Sequence, residues 1–170
     1  MMKTKICIFL YILIGIALGF FLKLFVIDVL NISGNSMNPT LKNGSKVVVN
    51  KLAYGIVKPF SGEFYFQWKE PERGDVVIYL HDNKIVVKRC VAVGGDHLEF
   101  LQNSGYSVKV AETDSAEIPL TPVQYQKMKK FGKIPEGYIF ALGDNLSDSI
   151  DSRDYGFVSV KNIAGKIVGK

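Results

Sequence analysis

Asp75-Val76-Val77-Ile78-Tyr79-Leu80-His81-Asp82-Asn83-Lys84-Ile85-Val86-Val87-Lys88-Arg89-Cys90-Val91-Ala92-Val93 reads as two β-rich runs joined by four polar residues, His81 to Lys84. β-Branched and aromatic side chains fit a pleated, half-buried surface, so the pattern predicts an antiparallel hairpin. One residue is out of keeping: Lys88 follows Ile85, Val86 and Val87. Taken alone it reads as a lysine on the solvated edge of a strand, because lysine is seldom buried.

The same signals predict further strands over 46–49, 97–101, 106–110, 138–142 and 162–168, with Asn103-Ser104-Gly105 turning between the second and third. A single helix is expected where Thr121 caps, Pro122 takes the first helical position, Gln124 completes a capping box and Gly132 stops the run. The fold class is therefore mainly β and antiparallel, with at most one short helix in the folded domain. Gly74-Asp75, Gly95-Asp96 and Gly143-Asp144 each stand beside an apolar run and read as tight turns. Phe60, Phe64, Tyr65, Phe66 and Trp68 read by default as core; the alternative is an apolar edge resting on a bilayer. No internal repeat or low-complexity segment is present.

Residues 6–22 carry no charge and, at about 1.5 Å per helical residue, cover roughly 25 Å, close to a hydrocarbon core of about 30 Å. The expectation is residues 1–30 as a cytoplasmic stub and transmembrane anchor, and 31–170 as one extracytoplasmic domain. Lys3 and Lys5 precede the apolar run and hold the N-terminus in the cytoplasm by the positive-inside tendency. A cleaved signal peptide fits less well, since no small-x-small site closes the run before Lys23. The net charge of +5 does not imply nucleic acid, because Lys3, Lys5 and Lys23 belong to the flanks of the anchor and no aromatic-interleaved basic stripe follows. Cys7 lies inside the apolar run and Cys90 inside a strand, so each reads as a small buried apolar residue rather than half of a disulfide.

Ser36 lies in the run Ser33-Gly34-Asn35-Ser36-Met37-Asn38-Pro39-Thr40 just beyond the anchor. A serine hydroxyl attacks poorly until a base removes its proton, and His81 and His97 both sit in polar, turn-like settings. A buried lysine is the remaining candidate. At its ordinary pKa near 10.4 a lysine is neutral in about 1 molecule in 2,500 at pH 7; desolvation to about 8 would make roughly 1 in 10 neutral. Neither histidine is spaced with carboxylates or thiols as a metal site, so no metal or cofactor is implied.

These segments, taken in order, resemble the bacterial type I signal peptidases, the membrane-anchored serine-lysine proteases. Ser36-Met37-Asn38-Pro39-Thr40-Leu41 is similar to the nucleophile box. Val49 to Gly55 and Arg73-Gly74-Asp75-Val76-Val77 are similar to the connecting boxes, and Val87 to Val91 through Gly94-Gly95-Asp96 to the lysine box. The last box is Gly143-Asp144-Asn145-Leu146-Ser147-Asp148-Ser149-Ile150-Asp151-Ser152-Arg153. The resemblance implies a β-rich catalytic domain of the signal-peptidase type. Ser36 is then the nucleophile, Lys88 the general base, Ser149 the residue orienting the lysine, and Asp151 and Arg153 a supporting ion pair. It also implies shallow substrate pockets formed by Ile32, Met37, Leu41, Val86 and Val87, all of which equally suit core packing. The substrates implied are precursors with small residues at −3 and −1 before the cut, on the outer face of the cytoplasmic membrane, with lipid as the other partner. The backbone N–H of Ser36 matches one oxyanion donor; Gly34 stands where some members carry a second, serine, donor.

The chain departs from the family pattern where Leu146, Ser147 and Asp148 replace the usual Arg-Asp-Asn, where Gly44-Ser45 replaces Gly-Asp, and where a short 97–137 stretch implies a reduced extra β subdomain. A dedicated pilin- or conjugation-type processing peptidase and a catalytically lapsed membrane-anchored β adaptor are the alternative readings. A self-cleaving repressor would carry a DNA-binding domain in place of the anchor. The sequence leaves the preferred precursors and the oligomeric state open.

Overall fold

The computed structural model describes residues 2–58, 64–111, 113 and 116–169, with side chains from residue 5 onward. A helix, α1 (Met2–Phe25), leads into β1 (Ile27–Asn31), β2 (Lys46–Asn50), β3 (Gly55–Val57), β4 (Phe64–Gln67), β5 (Val76–His81) and β6 (Lys84–Val93). Then follow β7 (Leu98–Gln102), β8 (Tyr106–Val110), β9 (Ile118–Leu120), α2 (Pro122–Met128), β10 (Tyr138–Leu142), α3 (Ser152–Tyr155), β11 (Val158–Ser159) and β12 (Ile163–Gly169). Within α1, Lys5–Phe25 is long and apolar enough to cross a membrane, and none of it is buried against the rest of the chain.

The expected hairpin is β5–β6, in register from Val76↔Arg89 to His81↔Lys84. Its turn is the pair Asp82 and Asn83, at φ +49° and +59°. Two successive left-handed residues match the right-handed twist of the strands, and short polar side chains tolerate that conformation best after glycine. The hairpin sits in a seven-stranded antiparallel sheet ordered β1-β2-β12-β5-β6-β10-β11. The last strand in the chain thus fills the gap between β2 and β5. A three-stranded sheet, β7-β8-β9, packs with α2 on one end, burying Leu98, Val108, Met128 and Ile134 against Phe140 and Leu142 of β10. A second cluster joins Tyr54, Val77, Tyr79, Cys90, Ile139 and Ile163, and a third joins Ile32, Met37, Leu41 and Val47.

The capping box of α2 is present: Gln124 N–H donates to Thr121 Oγ1, and Thr121 N–H to the Gln124 side chain. The helix ends at Met128, one turn short of Gly132. α3 is a second short helix that the sequence reading did not expect, because its four residues depend on Asp151 as N-cap rather than on any apolar period. Single turns of 3₁₀ helix also occur at Leu146–Asp148 and Val160–Asn162.

The default reading of the aromatic segment as core is corrected for Tyr65, Phe66 and Trp68, which are 65, 64 and 50% exposed. Tyr65 and Phe66 stand on the two-stranded β3–β4 sheet and Trp68 directly follows it; that sheet has no partner sheet among the described residues, Phe64 alone packs onto the core, and Phe60 lies outside the described residues. Cys90 is buried as expected, but Cys7 is exposed on α1.

The Gly-Asp pairs are more than turns. Asp75 accepts from Tyr54 Oη at 2.7 Å and pairs with Lys166; Arg73 forks onto Asp96 and Arg89 onto Asp144. Burial alone would raise each carboxyl, but these donors outweigh it and hold all three below their ordinary range. Gly74 and Gly95 take φ of +91° and +94°, which lets the chain turn sharply before each aspartate.

The hairpin turn gives a direct test. Asn83→Val should lower unfolding free energy by about 1–2 kcal/mol, because a β-branched residue resists the left-handed region, whereas Asn83→Gly should not lower it. Denaturant titration of the two variants checks this.

Candidate active site

Ser36 sits on the loop between β1 and β2. Two backbone bonds close the loop's base, Ile32 N–H to Ser45 and Gly44 N–H to Ile32, each 2.8 Å. Ile32, Met37 and Leu41 then anchor it by inserting into the cluster with Val47. Burying such side chains contributes about 1.5–3 kcal/mol each, so the backbone on both sides of Ser36 is fixed by packing. The Ser36 side opens on a cleft of about 820 Å³ that Lys88 and Ser149 also line.

Lys88, on β6, is only 4% exposed. Its Nζ donates to Ser149 Oγ at 3.0 Å, and Ser149 Oγ donates to Asp151 Oδ2 at 2.7 Å. Because a hydroxyl has one proton and Asp151 takes it, Ser149 meets the lysine only as an acceptor. The amine therefore engages Ser149 through an N–H, and in its neutral form keeps its lone pair for another group. Burial lowers the Lys88 pKa; Asp151 opposes that shift and Arg153 reinforces it, leaving the amine easier to deprotonate than a free lysine.

Asp151 is held in turn. Arg153 donates to both its oxygens, through Nε at 2.9 Å and Nη2 at 3.0 Å, and the Gly143 N–H adds a bond at 3.1 Å. The same guanidinium reaches the carbonyls of Leu146 at 2.7 Å and Ser149 at 3.3 Å. Both partners are buried, so losing either would strand a charge at a cost of about 3–5 kcal/mol.

Two residues of this loop lie outside the roles read from the sequence. Asn145 ties the loop to that of Ser36: its N–H donates to the Ser36 carbonyl at 2.9 Å, and its side chain to the Asn35 carbonyl at 3.2 Å. Gly143 lies between the two serines, where a Cβ would overlap both Ser149 Oγ and the Ser36 carbonyl. Both stand in the Gly-Asp-Asn stretch, but a contact across more than a hundred residues leaves no local signal.

Of the residues read as substrate-binding, Ile32, Met37, Val86 and Val87 line the cleft. Leu41 does not; it is wholly taken up by the cluster that anchors the loop. β10 pairs with β6 only from Arg89 to Val93, so the β6 edge at residues 85–88 is unpaired on that side. Across the cleft, β1 is the terminal strand of its sheet, and Leu30 and Ile32 also line the cleft. Among the described residues no group of three His, Cys, Asp or Glu is placed to hold a metal.

The family model described as signal peptidase, peptidase S26, matches residues 4–169. Signal peptidase I of Bacillus caldolyticus is 34% identical over 161 residues, covering 86% of this chain and 80% of its own. That of Bacillus licheniformis is 32% identical over 163 residues, covering 91% and 81%. A probable thylakoidal processing peptidase 2 of Arabidopsis thaliana is 34% identical over 149 residues, 81% of this chain but only 36% of the longer plant protein. A solved signal peptidase I from Enterococcus faecalis V583 is 21% identical at a TM-score of 0.43, covering 59% of this chain and 98% of its own. The family model spans nearly the whole chain and the two Bacillus enzymes align over most of both lengths; the chain belongs to the signal peptidase family, peptidase S26, serine hydrolases that remove signal peptides from precursor proteins.

Proposed function

We propose that the chain is a membrane-anchored endopeptidase that cuts signal peptides after small-x-small sequences, with Ser36 as nucleophile and Lys88 as general base. The observation that carries this is the buried Lys88 amine, bonded to an acceptor-only Ser149 and opening on the same cleft as Ser36. Neutral Lys88 takes the Ser36 proton as Oγ attacks the scissile carbonyl. The ammonium then returns a proton to the departing amine, leaving the acyl-enzyme, and a water deprotonated by Lys88 releases the signal peptide. Among the described residues the Ser36 backbone N–H has no partner and is free to donate to the oxyanion, whereas the Gly34 N–H is held by Asn43. The extended substrate fits the gap between the free β6 edge and β1 by strand addition, with Ile32, Met37, Val86 and Val87 leaving room only for small side chains at −1 and −3. The relatives are signal and thylakoidal processing peptidases, so the pilin-type and lapsed-adaptor readings are not favoured.

We also place the domain on the extracytoplasmic face, following Lys3 and Lys5, with the β3–β4 sheet resting on the bilayer. Leu24 at the end of α1 and Val57 and Lys58 at the end of β3 line one groove, which sets one end of the β3–β4 sheet beside the exit of the anchor, and Tyr65, Phe66 and Trp68 are exposed on or just after its second strand.

Cleavage of an Ala-x-Ala precursor by detergent-solubilised protein should vanish in Ser36→Ala and in Lys88→Met. Removing a buried amine should leave the Tm of Lys88→Met equal to or above the parent's. Retained cleavage in either variant would overturn the assignment. Since only neutral Lys88 acts as base and its pKa is lowered, kcat/KM should rise with pH and level off below about pH 10.4, the free-lysine value. Gly143→Ala should reduce kcat while destabilising the fold by about 1–3 kcal/mol, as the added methyl forces Ser36 and Ser149 apart. Trp68 is the sole tryptophan, and in proteoliposomes its fluorescence should be quenched by brominated acyl chains; unquenched emission would move the β3–β4 sheet off the membrane.

A further inference from the structure

The cleft lining holds two charged residues, Lys88 and Asp148. Lys88 is buried and engaged with Ser149; Asp148 is exposed. The neighbouring carboxylates are paired, Asp144 with Arg89 and Asp151 with Arg153, whereas Asp148 forms no salt bridge among the described residues and acts on Lys88 only through its charge. Its backbone is nonetheless fixed. The Asp148 N–H donates to the Asn145 carbonyl at 3.1 Å, Ser147 Oγ donates to Asn145 Oδ1 at 2.9 Å, and Asn145 is bonded to the Ser36 carbonyl. A carboxylate is thus carried on a fixed stretch of backbone in the same cleft as Ser36, one residue from Ser149, with Lys88 the other charged residue of the lining.

We propose that Asp148 is a specificity-determining residue that selects precursors carrying a lysine or arginine within about three residues of the scissile bond, the reach of one side chain along a strand rising about 3.3 Å per residue. This rests on the reading of Ser36 and Lys88 as the catalytic pair. The recognised group is a peptide cation, and the positions open to it are −2 and +1 to +3, since −1 and −3 require small residues. The attraction between an exposed carboxylate and such a cation is modest and screened by salt, so it ranks precursors rather than excluding them.

The test uses the full-length protein in detergent and Ala-x-Ala peptides with Lys, Gln or Glu placed in turn at −2, +1, +2 and +3. The readout is the ratio of kcat/KM for the Lys and Glu peptides within each enzyme, which a purely structural change does not move. The parent should favour Lys over Glu by about three- to tenfold at one or more positions at low salt. That ratio should fall to near one in Asp148→Asn and invert in Asp148→Lys. Cleavage of the peptides with the same ratio in all three enzymes would overturn the role of Asp148 alone. No cleavage of any peptide by the parent would overturn the peptidase reading and this inference with it.

Discussion

The buried pairing of Arg153 with Asp151 is the constraint on which the site depends. With both carboxylate oxygens engaged by the guanidinium, Asp151 has a fixed lone pair left for Ser149, whose hydroxyl must point at it. That choice leaves Ser149 an acceptor toward Lys88 and frees the lysine lone pair. That ion pair, reaching Lys88 only through Ser149, thereby sets which way the Ser149 hydroxyl points. Buried ion pairs contribute little net stability against apolar replacements, so its role here is better described as geometric specification.

The rest of the fold brings three distant segments to that pair. The Ser36 loop is pinned by its own apolar side chains and by Asn145; Lys88 is delivered by the central hairpin; and the Ser149 loop follows the end of β10, just where that strand stops pairing with β6. The end of β10 does two things at once, leaving the β6 edge unpaired and starting the loop that carries the lysine's partner. Arg89, beside Lys88, forks onto Asp144 and so ties the lysine strand to the same loop from the opposite face.

Much of this was legible in the sequence, for local reasons. The β5–β6 hairpin, β8, β10 and the capped helix α2 follow from short-range patterns that match their structures closely. β3, β9 and β11 are three residues or fewer and exist because neighbouring strands offer partners, which no periodicity records. The place of β12 between β2 and β5 is likewise a property of the assembled sheet. The burial of Lys88 could not be read from its strand, since alternation alone permits either face. The Gly-Asp pairs gave their turns but concealed their cations, which come from elsewhere in the chain. Aromatic density over 60–68 reads as core, yet three of those rings are exposed: the two-stranded β3–β4 sheet has no partner sheet among the described residues, so both its faces carry exposed rings and only Phe64 packs onto the core.

The central claim is that the fold keeps a lysine amine deprotonatable near neutral pH. It is tested most directly by titrating Lys88 itself, by NMR of protein labelled with ¹³C at lysine Cε, the resonance being assigned by its loss in Lys88→Met. A pKa clearly below the free-lysine value of about 10.4 is the result expected from its burial. A value at or above that of free lysine would mean that Asp151 keeps the amine charged, and Lys88 could not serve as the base.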